Sequence, residues 1–221
     1  MRFQDREDAG RQLAAALGHL RDADCIVYGL PRGGLPVALE VARALRAPLD
    51  VILVRKLCAP FNPELALGAV VDGEKPEIVL NQDIVDRLES SAEIIEAAAA
   101  RELEEIRRRH KVYLCGHHQE QATGRNVIVV DDGLATGATA RAALRALRRQ
   151  NPRRLILAVP VAPREVAMAL RAEVDELVCL REEDDFGAVG AFYRSFPQVS
   201  DAEVVGILGQ WRDELARSGA R

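Results

Sequence analysis

The sequence predicts an α/β protein: an open, mostly parallel sheet flanked by helices. Three observations carry that prediction. Short apolar, β-branched runs recur along the chain. Most are followed by a turn and then by apolar residues at helical spacing, the order strand, turn, helix, strand that marks parallel βαβ units. One run, "VIVVDD" (127–132), ends in two acids. Open parallel sheets bind ligands beyond the carboxyl ends of their strands.

The elements follow in order. Asp5 to His19 reads as an amphipathic helix whose face is Leu13, Ala16, Leu17 and Leu20. Nothing in it, His19 included, suggests more than packing. "DCIVYG" (24–29) is a short buried strand, "LPRGGLP" a turn, and "VALEVARALR" a helix that stops before Pro48. "LDVILVRK" (49–56) is the second strand. Residues 57–82 are rich in Pro and Gly, with hairpin-like pieces at 67–71 and 77–80, and read as a long mobile loop running into a two-stranded excursion. Loops of that length are usually functional or disordered. From about Ser91 to Lys111 the chain is a strong helix, with acids early, bases late and an apolar line through Ile95, Ala99, Leu103 and Ile106. "RNVIVVDD", "RRLILAVPVAP" and "ELVCLR" (176–181) are three more strands, separated by the helices "TARAALRALRRQ" and "REVAMALRAE". The tail is irregular from 182 and helical from Asp201.

No internal repeat, low-complexity tract or linker divides the 221 residues, so residues 1–221 read as one domain. Apolar residues make up 48% and charged residues 29%, a globular profile. A net charge of -4 offers no field that would draw the protein to nucleic acid or to an anionic membrane. The charged start has no signal-peptide stretch, and no run approaches a membrane span, so a cytoplasmic protein is expected. Cys25, Cys58, Cys115 and Cys179 lie far apart without CxxC spacing, which argues against a disulfide framework or zinc knuckle. Cys115, His117 and His118 cluster in "YLCGHH", but no second ligand pair accompanies them, and a polar loop accounts for them better.

The stretch "VIVVDDGLATGATA" (127–140) carries the functional reading. Carboxylates accept several hydrogen bonds, so the adjacent Asp131 and Asp132 suit a pair of sugar hydroxyls. Gly133, Leu134, Ala135, Thr136, Gly137, Ala138 and Thr139 then turn into a helix. Small residues let backbone N–H groups approach an anion, the helix N-terminus favours it, and Thr136 and Thr139 add hydroxyls. A phosphate beside a diol is a ribose 5-phosphate. Neither GxxxxGK[ST] nor GxGxxG is present, so a Walker loop and a dinucleotide fold have no support.

This stretch resembles the phosphoribosyl-pyrophosphate (PRPP) motif of type I phosphoribosyltransferases. "YGLPRGGLPVA" and "VRKLCAPFNPELALGAV" are similar to a bacterial subgroup of that family. The resemblance covers roughly residues 20–180. It implies a parallel-sheet core with a hood, here parts of 57–85 and 182–221. It also implies transfer of the 5-phosphoribosyl group from PRPP to a nitrogenous acceptor, such as a nucleobase, with release of pyrophosphate. "LPRGG" takes the position of the pyrophosphate loop, with Arg32 as a bidentate donor and Gly33 and Gly34 permitting close approach. Arg55 and Lys56 would send further cations to the pyrophosphate at the same sheet edge and begin the closing loop. Asp131, Asp132, Arg32 and Lys56 are the expected catalytic residues. Mg²⁺ would arrive with PRPP, reached by Asp131 or Asp132 through water, with no residue assigned to it directly.

The acceptor is less legible. The 6-oxopurine enzymes carry an Asp at the third position after the acidic pair, where this chain has Ala135, so hypoxanthine or guanine is in doubt. Glu64 could serve a metal water or the acceptor, or be only a helix-start charge. Phe186, Phe192, Tyr193 and Phe196 could stack on a flat base, although hood packing explains them better. A PRPP-sensing protein without transferase activity is the alternative. The net charge and the lack of an appended helix-turn-helix segment weigh against nucleic acid as a partner. A homodimer is compatible with the sequence.

Overall fold

A computed structural model describes residues 2–59, 62–71, 77–80, 85, 92–114, 119–217 and 219. Two sheets organise it. The larger is parallel, with order β2-β1-β6-β7-β8, formed by β1 (Cys25–Gly29), β2 (Leu49–Val51), β6 (Asn126–Val130), β7 (Arg154–Pro163) and β8 (Glu176–Glu183). The smaller is antiparallel, with order β3-β4-β5, formed by β3 (Val54–Ala59), β4 (Asn62–Val71) and β5 (Glu77–Leu80).

Alternation along the central strands sorts the core onto two faces. Val27, Ile128, Val130 and Ile156 point to the side covered by α1 (Arg6–Ala16), α2 (Gly34–Leu45), α3 (Ala92–Leu114) and α6 (Asp201–Arg217). Ile26, Tyr28, Val127, Val129 and Leu157 point to the side covered by α4 (Ala138–Arg149) and α5 (Arg164–Arg171). Both faces of β1, β6 and β7 are therefore dry, which is why these strands read as unbroken apolar runs. Asp5 caps α1 by accepting from the Asp8 N–H at 2.8 Å.

Two expectations need correction. The run 49–56 is not one strand: β2 ends at Val51, the chain turns through Ile52 and Leu53, and Val54 begins the second sheet. The stretch expected as a loop with a two-stranded excursion instead supplies β3, β4 and β5, a three-stranded sheet. The reason is packing: Leu57, Leu67, Val70 and Val71 are buried, and β3 and β4 pair as consecutive antiparallel strands from Val54 opposite Val71 to Ala59 opposite Asn62. No described helix is long and apolar enough to cross a membrane.

Candidate active site

The strand order changes direction between β1 and β6. The chain places β2 on one side of β1, then returns to lay β6 on the other. The crevice at the carboxyl ends of two such strands is the default ligand position in an open parallel sheet. Gly29 and Val130 lie opposite each other there, and the Leu30 N–H donates to the Val130 carbonyl at 2.9 Å. The turn after β1 thus abuts the acids after β6. A cleft of about 520 Å³ opens at this point, lined by Arg32, Gly33, Asp131 and Asp132 and walled by Arg6 and the segment 196–199.

The two turns are packed tightly enough to require glycine. A Cβ on Gly33 would lie 2.0 Å from Asp132 Oδ2, and one on Gly34 would lie 3.0 Å from Asp131 Cα. The Pro31–Arg32 peptide is cis. Arg32 leans toward α6, with its Nη1 3.7 Å from Asp201 Oδ1. That carboxylate also accepts from the Tyr113 hydroxyl at 2.6 Å.

The acid pair is held from several sides. Asp131 Oδ1 accepts from the Asp132 N–H at 2.9 Å. Asp132 Oδ2 accepts from Arg6 Nε at 2.7 Å, and the Tyr193 hydroxyl donates to the Asp132 carbonyl at 2.5 Å. Burial, aided by the neighbouring Asp132 charge, pushes Asp131 well above the usual carboxylate range. Burial also raises Asp132, while the Arg6 guanidinium pulls the other way.

Downstream, Leu134 is buried, and its N–H donates to the Val161 carbonyl at 2.9 Å. Ala135 and Thr136 line a second recess of about 360 Å³ with Arg164, Glu183 and Phe186. Gly133 (φ 156°) and Gly137 (φ 70°) take positive φ, and Gly137 leads directly into α4, whose first residues are Ala138 and Thr139.

Other sequence-based candidates lie elsewhere. Arg55 sits on β3 and donates to Glu102 Oε2 on α3 at 2.7 Å. Lys56 is exposed on the same strand. Neither is among the residues lining the cleft, because β3 belongs to the second sheet and not to the edge expected for it. Glu64 falls on β4 with its side chain outside the described residues, as are Cys115, His117 and His118 altogether. Cys25 and Cys179 are free, and the described residues contain no group of three or more His, Cys, Asp or Glu able to hold a metal. The aromatic residues pack on one another, while Phe186 also lines the second recess and Phe196 the cleft. Phe186 stacks on Phe192 at 5.1 Å, and Tyr193 packs on Phe196 at 4.9 Å.

Arg6 and Tyr193, which hold Asp132, carry no motif that marks them for this cleft. Arg6 alone left a trace. With Ala9 and Leu13 it forms an i, i+3, i+7 series, so a cation stands on the buried stripe of α1.

Fold and site together define a class: an α/β protein whose switch point sets two carboxylates against a glycine turn, beside a second small-residue turn that opens a helix. The chain belongs to the phosphoribosyl transferase domain family, which it matches over residues 4–196. Two Mycobacterium tuberculosis proteins, from strains CDC 1551 and H37Rv, bear provisional phosphoribosyl transferase names. Each is 46% identical over 218 residues, covering 99% of this chain and 49% of the relative. The chain therefore spans about half the length of those relatives. The crystal structure of TT1426 from Thermus thermophilus matches with a TM-score of 0.84 at 45% identity, over 96% of this chain and 99% of that one.

Proposed function

We propose that the protein transfers the 5-phosphoribosyl group of PRPP to a nitrogenous acceptor, a nucleobase by preference, and releases pyrophosphate. The observation that carries this reading is the placement of Asp131 and Asp132 opposite the Arg32–Gly34 turn across one cleft. A phosphorylated ribose with a second anionic group has a counterpart for each part. The sugar hydroxyls donate to the acid pair. The 5-phosphate takes the turn from Gly133 to Thr139, which leads into the N-terminus of α4, the end of a helix that favours an anion. The pyrophosphate takes the turn after β1.

In the reaction, the bond from the anomeric carbon to pyrophosphate breaks, a bond to the acceptor nitrogen forms, and the proton of that nitrogen passes to the released pyrophosphate or to solvent. Positive charge develops on the ribose, and the carboxylates at its hydroxyls are the fixed negative groups that stabilise it. Arg32 offers a forked donor to the departing phosphates and must exchange Asp201 for them. Lys56 remains a candidate for the same anion from the second sheet, whereas Arg55 is already engaged by Glu102.

The residues fit Mg²⁺. Two adjacent carboxylates on the cleft, with no third acidic or imidazole group alongside among the described residues, suit a hard ion that keeps waters and substrate oxygens as its other ligands. Asp131 and Asp132 would hold it through water, and when bound it supplies neutralisation of the leaving group. The free Cys25 and Cys179 accord with a cytoplasmic setting.

The test has two parts. PRPP with Mg²⁺ is expected to raise the melting temperature, since it binds the folded state alone, by about 2.7 kcal/mol of stability at a hundredfold excess over Kd. Pyrophosphate release is then expected with at least one member of a panel of bases and amines. No thermal shift at millimolar PRPP would refute the reading. A shift without release for any acceptor would leave a PRPP-binding protein in place of a transferase.

A further inference from the structure

We propose that Arg6 is a positioning residue of the sugar clamp: it fixes the Asp132 carboxylate for the ribose hydroxyls and ties the 193–199 segment down as the opposite wall of the cleft. The inference rests on the PRPP reading and adds to it a residue from the N-terminal helix.

The geometry is specific. Arg6 is 8% exposed although it sits in the first turn of a helix. Its Nε donates to Asp132 Oδ2 at 2.7 Å, and its Nη1 donates to the Pro197 carbonyl at 2.6 Å. Its guanidinium lies 3.7 Å from the centre of the Phe196 ring, which shields the pair from water on that side. The bonded oxygen is also the one that leaves no room for a Cβ on Gly33. Asp132 Oδ2 is thus wedged between the β1–α2 turn and Arg6, while the Tyr193 hydroxyl grips the carbonyl of the same residue. A residue held at one carboxylate oxygen and at its backbone carbonyl presents its remaining accepting positions to the cleft in one orientation, as a preorganised clamp requires.

Attachment of the N-terminal segment does not depend on this side chain. The Phe3 N–H donates to the Phe192 carbonyl, and the Arg194 N–H donates to the Phe3 carbonyl, both at 2.9 Å. Asp5 caps α1 independently, and Ala9, Leu13 and Leu17 bury the helix. Removing the guanidinium should therefore leave the helix seated and release Asp132.

Calorimetric titration of ribose 5-phosphate and of pyrophosphate into wild type, Arg6→Ala and Arg6→Lys, well below their melting temperatures, tests this. Arg6→Ala is expected to weaken ribose 5-phosphate by roughly 10–100-fold, the range for a residue that orients a functional side chain. The loss for pyrophosphate, which has no hydroxyls for Asp132, is expected to be smaller. Arg6→Lys should recover part of the sugar affinity, since it restores a charge but not the fork. Unchanged or tighter ribose 5-phosphate binding in folded Arg6→Ala overturns the role, as do equal losses for both ligands. Should Arg6→Ala not fold, Phe196→Leu keeps every polar contact of Arg6 and removes its shield. A sugar-selective loss is then expected, and no loss overturns the role. A wild type that binds neither ligand removes the PRPP reading itself, and this inference with it.

Discussion

Asp132 and Gly33 press against each other at the floor of the cleft, and both can be tested singly. Asp132→Asn deletes a charge and one accepting oxygen where the proposed function places the sugar. Pyrophosphate release is expected to fall on the order of 10²–10³-fold with the fold intact, as when a preorganised electrostatic contact is lost. Gly33→Ala attacks the same point from the other turn. Its Cβ would sit 2.0 Å from Asp132 Oδ2, and the carboxylate cannot swing freely while Arg6 holds it. Steady-state rates should therefore fall for Gly33→Ala as well, with a smaller change in circular dichroism than in turnover. Wild-type release in both variants would mean that this pair does not clamp the sugar. Only part of this was readable beforehand. The acids and glycines announce themselves in contiguous stretches, whereas their contact joins residues 99 positions apart.

At the scale of elements, the proposed function divides PRPP between two turns. Arg32 follows β1, and Thr136 and Thr139 flank the start of α4, so the cation and the hydroxyls approach from different strands. Arg32→Ala is expected to weaken PRPP and pyrophosphate but hardly touch ribose 5-phosphate. Thr136→Val with Thr139→Val should weaken ribose 5-phosphate and PRPP but spare pyrophosphate, and titration of the three ligands into these variants separates the cases. Equal losses throughout would misplace the pyrophosphate turn. The second sheet enters here too. Lys56 stands on β3, so Lys56→Ala should alter pyrophosphate binding less than Arg32→Ala does. The run "LDVILVRK" carries no Pro or Gly at the point where it leaves one sheet for another, and alternation does not say which sheet a strand joins.

For the molecule as a whole, the buried acids tie stability to pH. Burial lifts Asp131 well above its ordinary range and Asp50 to about 6. A carboxyl whose folded pKa is raised binds its proton more tightly in the folded state. It costs nothing below its unfolded pKa, near 3.9, and its cost grows as pH rises from there toward the folded pKa. The ligand-free protein should therefore gain stability from Asp131→Asn at pH 7.5, since the amide keeps the oxygen that accepts from the Asp132 N–H. Each kcal/mol released corresponds to about 2–4 °C in melting temperature. The gain should shrink most of the way to zero by pH 4, where the folded acid is protonated and the unfolded one is about half protonated. Melting scans of both proteins from pH 4 to 7.5 check this, and a pH-independent difference would contradict it. The same substitution is expected to lower turnover, so that stability and function oppose each other at one side chain.

The sequence by itself determined the parallel α/β core, the order of its helices and the place of the small-residue turn from Asp131 to Thr139 after β6. Each of these is written in a contiguous stretch whose periodicity or residue types act locally. Tertiary structure alone decided that β3 leaves the main sheet, that Glu102 takes Arg55, and that an arginine 126 positions earlier meets Asp132. Those outcomes depend on which distant segments the topology brings within a few ångströms. A buried ion pair leaves no periodic mark in the chain beyond one charge on an apolar stripe.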